Sequence, residues 1–92
     1  MVTAIVFIRT DVEAVNAVAE TVAAIDGVSE VYSVTGDLDL VAVVRVRDLD
    51  DVSRVVTDGV SRVPGILATE THIAFRTYSK HDLEQAFALG LD

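Results

Sequence analysis

The chain has 92 residues, 51% of them hydrophobic, with a mean hydropathy of +0.46 and a formal net charge of −8 from seven Lys and Arg against fifteen Asp and Glu. That length makes one domain over 1–92 with a modest core, and the acid excess argues against direct nucleic-acid binding, which clustered cations carry. The lack of cysteine excludes disulfides and thiolate metal sites; with no run near the roughly 18 apolar residues of a membrane span and no basic-then-apolar leader, a cytoplasmic protein is expected.

Val2 to Arg9 alternates and is rich in β-branched residues, so it reads as a first strand. Thr10 and Glu13 stand three apart, as in a capping box, and predict a helix start. Val12, Val15, Val18, Ala19, Val22 and Ile25 then recur at spacings of three and four, on one helical face, until Asp26-Gly27 stops the helix. Val28 to Thr35 is a second strand, Gly36-Asp37 a hairpin turn in which glycine supplies positive φ, and Leu38 to Arg47 a third strand. Asp48 caps a second helix with Asp51 at its third position, and Val52, Val55, Val56, Gly59, Val60 and Val63 form its apolar stripe. Pro64-Gly65 ends it, and Ile66 to Thr77 is a fourth strand. Ser79-Lys80-His81-Asp82 reads as a third cap, opening a short terminal helix over 79–91 with Leu83, Ala86, Phe87 and Leu91 on one stripe.

The order βαββαβ is that of an α+β, ferredoxin-like domain. It predicts a four-stranded antiparallel sheet with two helices on one face, plus the short C-terminal helix, over a core of residues 2–77. Right-handed crossovers set the spatial strand order as 4-1-3-2. Ile25-Asp26-Gly27-Val28 and Val63-Pro64-Gly65-Ile66 occupy equivalent places 38 residues apart, so the halves form a pseudo-repeat. Both sheet faces are apolar: Ile5 and Phe7 alternate with Val6 and Ile8, and Val41 and Val43 with Leu40, Ala42, Val44 and Val46. A face that no helix covers is then expected to be buried by sheet-to-sheet dimerisation.

Catalytic chemistry finds little support. No Ser or Thr stands in a nucleophile elbow, His72 reads as a hydrogen-bonded strand residue, and His81 sits at a helix start; the two lack metal-ligand spacing. No metal or cofactor is expected. The five glycines stand singly, which excludes a phosphate-cradling loop, and the helix dipole accounts for Asp48, Asp50 and Asp51. Gly36-Asp37-Leu38-Asp39 remains. On one reading Asp37 is a turn residue and Asp39 a solvated strand-edge acid. On the other, Asp39 borders a cleft in which turn amides hold a carboxylate and acid side chains hold an ammonium, the two charged groups of an amino acid.

The segment Val28-x-x-Val31-Tyr32-x-Val34-Thr35-Gly36-Asp37-Leu38-Asp39-Leu40, joined to Gly65-Ile66-x-x-Thr69-x-Thr71, resembles the effector-binding (RAM) domain of the Lrp/AsnC, or feast/famine, transcriptional regulators over residues 2–77. The resemblance implies pairing through the sheet, dimers assembled into octamers or decamers, and an amino acid bound between dimers near the glycine-acid turn. It points to Gly36, Asp37, Leu38 and Asp39 as ligand-binding residues, with Thr69 and Thr71 on the facing wall. Full-length members of the family begin with a helix-turn-helix, whereas strand one here starts at residue 2. The expectation is therefore a stand-alone, non-enzymatic sensor that modulates transcription indirectly, through mixed assembly with a full-length relative. Two alternatives compete with it. One is a small dimeric ferredoxin-like enzyme of the cofactor-free monooxygenase kind, with His72 or Asp39 as acid or base; aliphatic residues on both sheet faces argue against the roomy cavity that class needs. The other is a purely structural module.

Overall fold

In the computed structural model, which describes residues 1–80, alternation gives the first strand, β1 (Val2–Thr10), two unlike faces. Ala4, Val6, Ile8 and Thr10 are buried under the helices, while Ile5 and Phe7 are half-buried on the opposite side. Strands β2 (Val28–Ser33), β3 (Leu40–Val46) and β4 (Ile66–Ala74) complete a four-stranded antiparallel sheet. Its order is β2-β3-β1-β4, the 4-1-3-2 arrangement expected from the sequence. Helices α1 (Val15–Ala23) and α2 (Leu49–Ser53) supply Val18, Val22 and Val52 to the core, which they share with Ile8, Leu40, Ala42 and Val44. Full burial of each large aliphatic side chain contributes about 1.5–3 kcal/mol.

The first helix begins later than the capping box predicts. Thr10 is the last residue of β1, its hydroxyl donates to the Asp11 carbonyl at 3.0 Å, and no side chain caps the 3-10 turn Val12–Ala14 that precedes α1. Val12, expected on the apolar face, is 91% exposed as a result. Asp48 does cap α2: its Oδ1 accepts the Asp51 amide at 3.0 Å. Asp48→Ala is expected to lower stability by about 1 kcal/mol, read from the urea midpoint, with Asp48→Asn recovering most of it. Past Ser53 the helix widens into a π-turn over Arg54–Gly59 and tightens into a 3-10 turn, Val60–Arg62.

The pseudo-repeat has a geometric counterpart. Gly27 and Gly65 have φ of 98° and 97°, a left-handed conformation that disfavours any side chain. Their carbonyls accept the Arg45 and Asp11 amides, both at 2.9 Å. Strands two, three and four end sooner than the sequence suggests. The Val34 amide turns to the Asp39 carbonyl at 3.1 Å and closes the loop before Thr35 can extend β2. The predicted C-terminal helix over 79–91 lies essentially outside the described residues.

Cross-strand partners share a face, so the register assigns the open side of the sheet. It carries Glu30 and Tyr32 from β2, Val41, Val43 and Arg45 from β3, Ile5, Phe7 and Arg9 from β1, and Ala68, Glu70 and His72 from β4. The middle of this face is apolar and its border is charged. Arg45 pairs with Glu30 at 3.3 Å on one side, and His72 with Glu70 at 2.8 Å on the other. Tyr32 and Arg45, in that order, hold the Glu30 carboxyl below its ordinary value, and the same partnership raises the Tyr32 hydroxyl. A depressed carboxyl stabilises the fold above its unfolded pKa and loses that contribution as pH falls through the folded one. An NMR titration should place the Glu30 midpoint below that of a model peptide, and Tyr32→Phe should bring it back up; an unshifted wild-type midpoint would refute the pairing.

Candidate functional site at the hairpin corner

The predicted residues lie at one corner of the sheet, where the β2–β3 hairpin meets β1 and β4. Gly36 has φ of 101° and open space around its Cα, as the turn requires. Asp37 contributes its carbonyl, which accepts Arg9 Nε at 3.2 Å. Asp39 is tied into the sheet three times. Its amide donates to the Ile8 carbonyl at 3.0 Å, its carbonyl accepts from Val34, and its Oδ2 accepts the Thr10 amide at 2.9 Å. The last bond falls where the β1–β4 register shifts, between Arg9 and Thr10. The β1–β3 pairing ends at Ile8, so the Thr10 amide, two residues further on and facing the same side, has no ladder partner in β3, and the Asp39 carboxylate takes that place. Asp39 is thus a structural clasp at this corner, whatever else it does.

Beside the clasp lies an open hollow of about 330 Å³, lined by Phe7, Arg9, Leu38, Ala68, Thr69 and Glu70. Two of the residues expected from the sequence, Leu38 and Thr69, therefore meet on one concavity although they are 31 positions apart. Thr71 is not among its lining residues; it stands opposite Val6, on the helix-covered side of the edge strand, and Thr69, opposite Ile8, is on that side too, so it borders the hollow only from its place between Ala68 and Glu70. Phe7, Arg9, Ala68 and Glu70 escaped the sequence reading. The expected strand order puts β1 beside β4, but only the register sets Arg9 opposite Ala68 and Phe7 opposite Glu70. A wider groove of about 550 Å³ opens elsewhere, bordered by Gly27, Val46, Arg47, Asp51, Arg54 and Asp58, and holds none of the expected residues.

Residues 3–83 match the family model described as the Lrp/AsnC ligand binding domain. The chain belongs to the Lrp/AsnC family. Among its relatives, an uncharacterized HTH-type transcriptional regulator of Pyrococcus abyssi is 36% identical over 78 residues, covering 82% of this chain and 52% of that protein. The chain thus spans about half the length of the curated relatives it matches. Among solved structures, TTHA0845 of Thermus thermophilus superposes with a TM-score of 0.82 at 46% identity, over 87% of this chain and all of that one. A transcriptional regulator of Neisseria meningitidis, NMB0573, solved in complex with L-Met, shares the fold at a TM-score of 0.76 and 16% identity, over 85% of this chain and 52% of that one. The Lrp/AsnC assignment sets aside the monooxygenase alternative, because the matching model describes a ligand binding domain and the curated relatives are named as transcriptional regulators, not enzymes. Among the described residues of this Lrp/AsnC domain, no helix is long and apolar enough to cross a membrane.

Proposed function

We propose that this Lrp/AsnC domain binds an amino acid at the hairpin corner, between subunits, and modulates transcription indirectly through its oligomeric assembly in the cytoplasm. The observation that carries the reading is the convergence of Leu38 and Thr69 on one hollow beside the Gly36 turn, with apolar and charged groups both in its lining. A few polar groups set among apolar walls are the ordinary form of a small-ligand site. The L-Met complex of a regulator with the same fold supports amino acids as the ligand class. The apolar centre of the open sheet face supports pairing with a second copy, and the half-buried Ile5, Phe7 and Val41 are the residues that such a copy would cover. Rings of four or five dimers, and mixed assembly with a full-length relative, extend the same reading.

Isothermal titration of the twenty amino acids into the wild-type protein tests it. One should bind, and Ala68→Phe, which fills the hollow, should weaken that binding at least tenfold. Silence across the panel would sink the proposal. Light scattering at micromolar concentration should give a dimer or larger species; a monomer would remove the assembly half of the reading. The chain alone should not shift duplex DNA in a mobility assay, given its net charge of −8.

A further inference from the structure

β4 pairs with β1 as far as Ala74, opposite Thr3, and Phe75 to Ser79, which follow, belong to neither strand nor helix. Phe75 is 96% exposed and Tyr78 80%. Two large aromatic side chains, three positions apart, are thus held out in water. Arg76 and Lys80 accompany them, so this arm, residues 75–80, carries two of the chain's seven cations and no acid, in a chain whose net charge is −8. A single exposed apolar residue needs no explanation. Aromatic and cationic residues interleaved along one irregular stretch are another matter, because aromatics and arginine are the residue types enriched where proteins meet.

A surface of matching chemistry lies between the end of α1 and the π-turn, in the groove of about 550 Å³. Its floor is apolar, from Ile25, Gly27, Val46, Val55 and Gly59. Arg54, Val55, Asp58 and Gly59 of its lining all belong to the π-turn, a rare departure from the α-helix that is found frequently at functional sites. On the rim, Arg54 is taken up by Asp51, whereas Asp26, Asp58 and Arg47 have no ion partner among the described residues. None of the open-face residues lines this groove.

We propose that this groove receives the arm, residues 75–80, of a second copy of the chain. Phe75 and Tyr78 lie on the apolar floor, Arg76 and Lys80 meet Asp26 and Asp58, and the unpaired Arg47 suits an aromatic ring face. The arm belongs to another copy because it stands off its own domain at those exposures. Ala74, opposite Thr3, is also two strands from Arg45 of β3, or about 10 Å. Aromatic anchors burying about 150–250 Å² each, flanked by complementary charge, are the usual makings of an interface hot spot. The contact is heterologous, joining two unlike patches, whereas pairing through the open face joins like to like. It depends neither on that pairing nor on the amino-acid reading of the hairpin corner.

The chain has no tryptophan, so Phe75→Trp places a single indole reporter in the arm. Asp26, Asp58, Phe75 and Tyr78 are all exposed, and their substitution should leave the unfolding midpoint unchanged. At concentrations where light scattering finds dimers or larger species, the reporter should emit to the blue and be shielded from iodide. Adding Asp26→Lys and Asp58→Lys to the same chain should return the emission to the red and raise iodide quenching several-fold. A tryptophan-free partner carrying Phe75→Ser and Tyr78→Ser, whose groove is intact, should then restore the blue shift on mixing; a partner that also carries Asp26→Lys and Asp58→Lys should not. A water-exposed indole in the assembled reporter would overturn the proposal while leaving face pairing in place. A blue shift that the groove substitutions do not remove, or that the intact-groove partner does not restore, would overturn it by assigning the arm to another surface or to its own domain. A monomer at every concentration would remove the arm contact and face pairing together, and would leave amino-acid binding to its own titration.

Discussion

Gly65→Ala should lower the unfolding free energy by about 2–5 kcal/mol, and Gly27→Ala by a similar amount, whereas Gly36→Ala should cost about 1–2 kcal/mol. All three glycines have positive φ, and a Cβ in that conformation costs about 1–2 kcal/mol. The difference lies in what the new methyl meets. At Gly65 it would stand 2.8 Å from Ala14 Cβ and 3.0 Å from Val18 Cγ2; at Gly27, 2.7 Å from Val55 Cγ2 and 3.0 Å from Val46 Cγ1. Around Gly36 nothing lies within 4 Å. Val18 and Val55 are buried core residues, so their shifts propagate, and overpacking a dense core adds about 1–3 kcal/mol. Urea unfolding at constant slope separates the two classes. Equal losses at Gly36 and Gly65 would refute the close-packing account.

Asp39→Ala should cost about 1–3 kcal/mol, and Asp39→Asn clearly less. The Thr10 amide that Asp39 Oδ2 accepts belongs to a residue only 4% exposed, and a buried amide stripped of its acceptor bears its full desolvation penalty. Asparagine keeps a neutral acceptor at the same place and forfeits only the charge assistance. Hydrogen exchange supplies the local readout: the Thr10 amide should exchange much faster in Asp39→Ala than in Asp39→Asn. Equal protection in the two variants would show that the clasp is dispensable. A practical point follows for ligand studies. Loss of binding in Asp39→Ala would conflate a damaged corner with a missing contact, so Arg9, Ala68 and Glu70 are the cleaner positions.

The fold was legible because valine and isoleucine mark both periods so strongly. Spacing alone put Val18 and Val22 on the helix stripe and Leu40, Ala42 and Val44 on one strand face, and all five are buried; which sheet face the helices cover was not legible, because both faces are apolar. What failed to show was any local feature whose partner is remote. Thr10 and Glu13 have the spacing of a capping box, yet the Thr10 amide is claimed by a carboxylate 29 positions away, and the helix start moves downstream. The stripe from Val52 to Val63 fits an ordinary α-helix and gives no sign of the π-turn over Arg54–Gly59. The same limit applies at the corner. Gly36 to Asp39 and Thr69 stand out in the sequence, but Arg9 and Glu70 become neighbours only once β1 and β4 are paired in a definite register with one bulge.

That pairing also governs how signals would enter and leave the domain. β1 and β4 are antiparallel neighbours, with Thr3 opposite Ala74, so polypeptide joined ahead of Val2 and polypeptide continuing past Ala74 leave from the same end of the sheet. The hairpin corner lies at the other end, six strand residues further along β1, or about 20 Å at the usual rise per residue. A module fused at either end would therefore begin about 20 Å from the hollow at the corner, and the β1–β4 ladder is the shortest covalent and hydrogen-bonded path between the two.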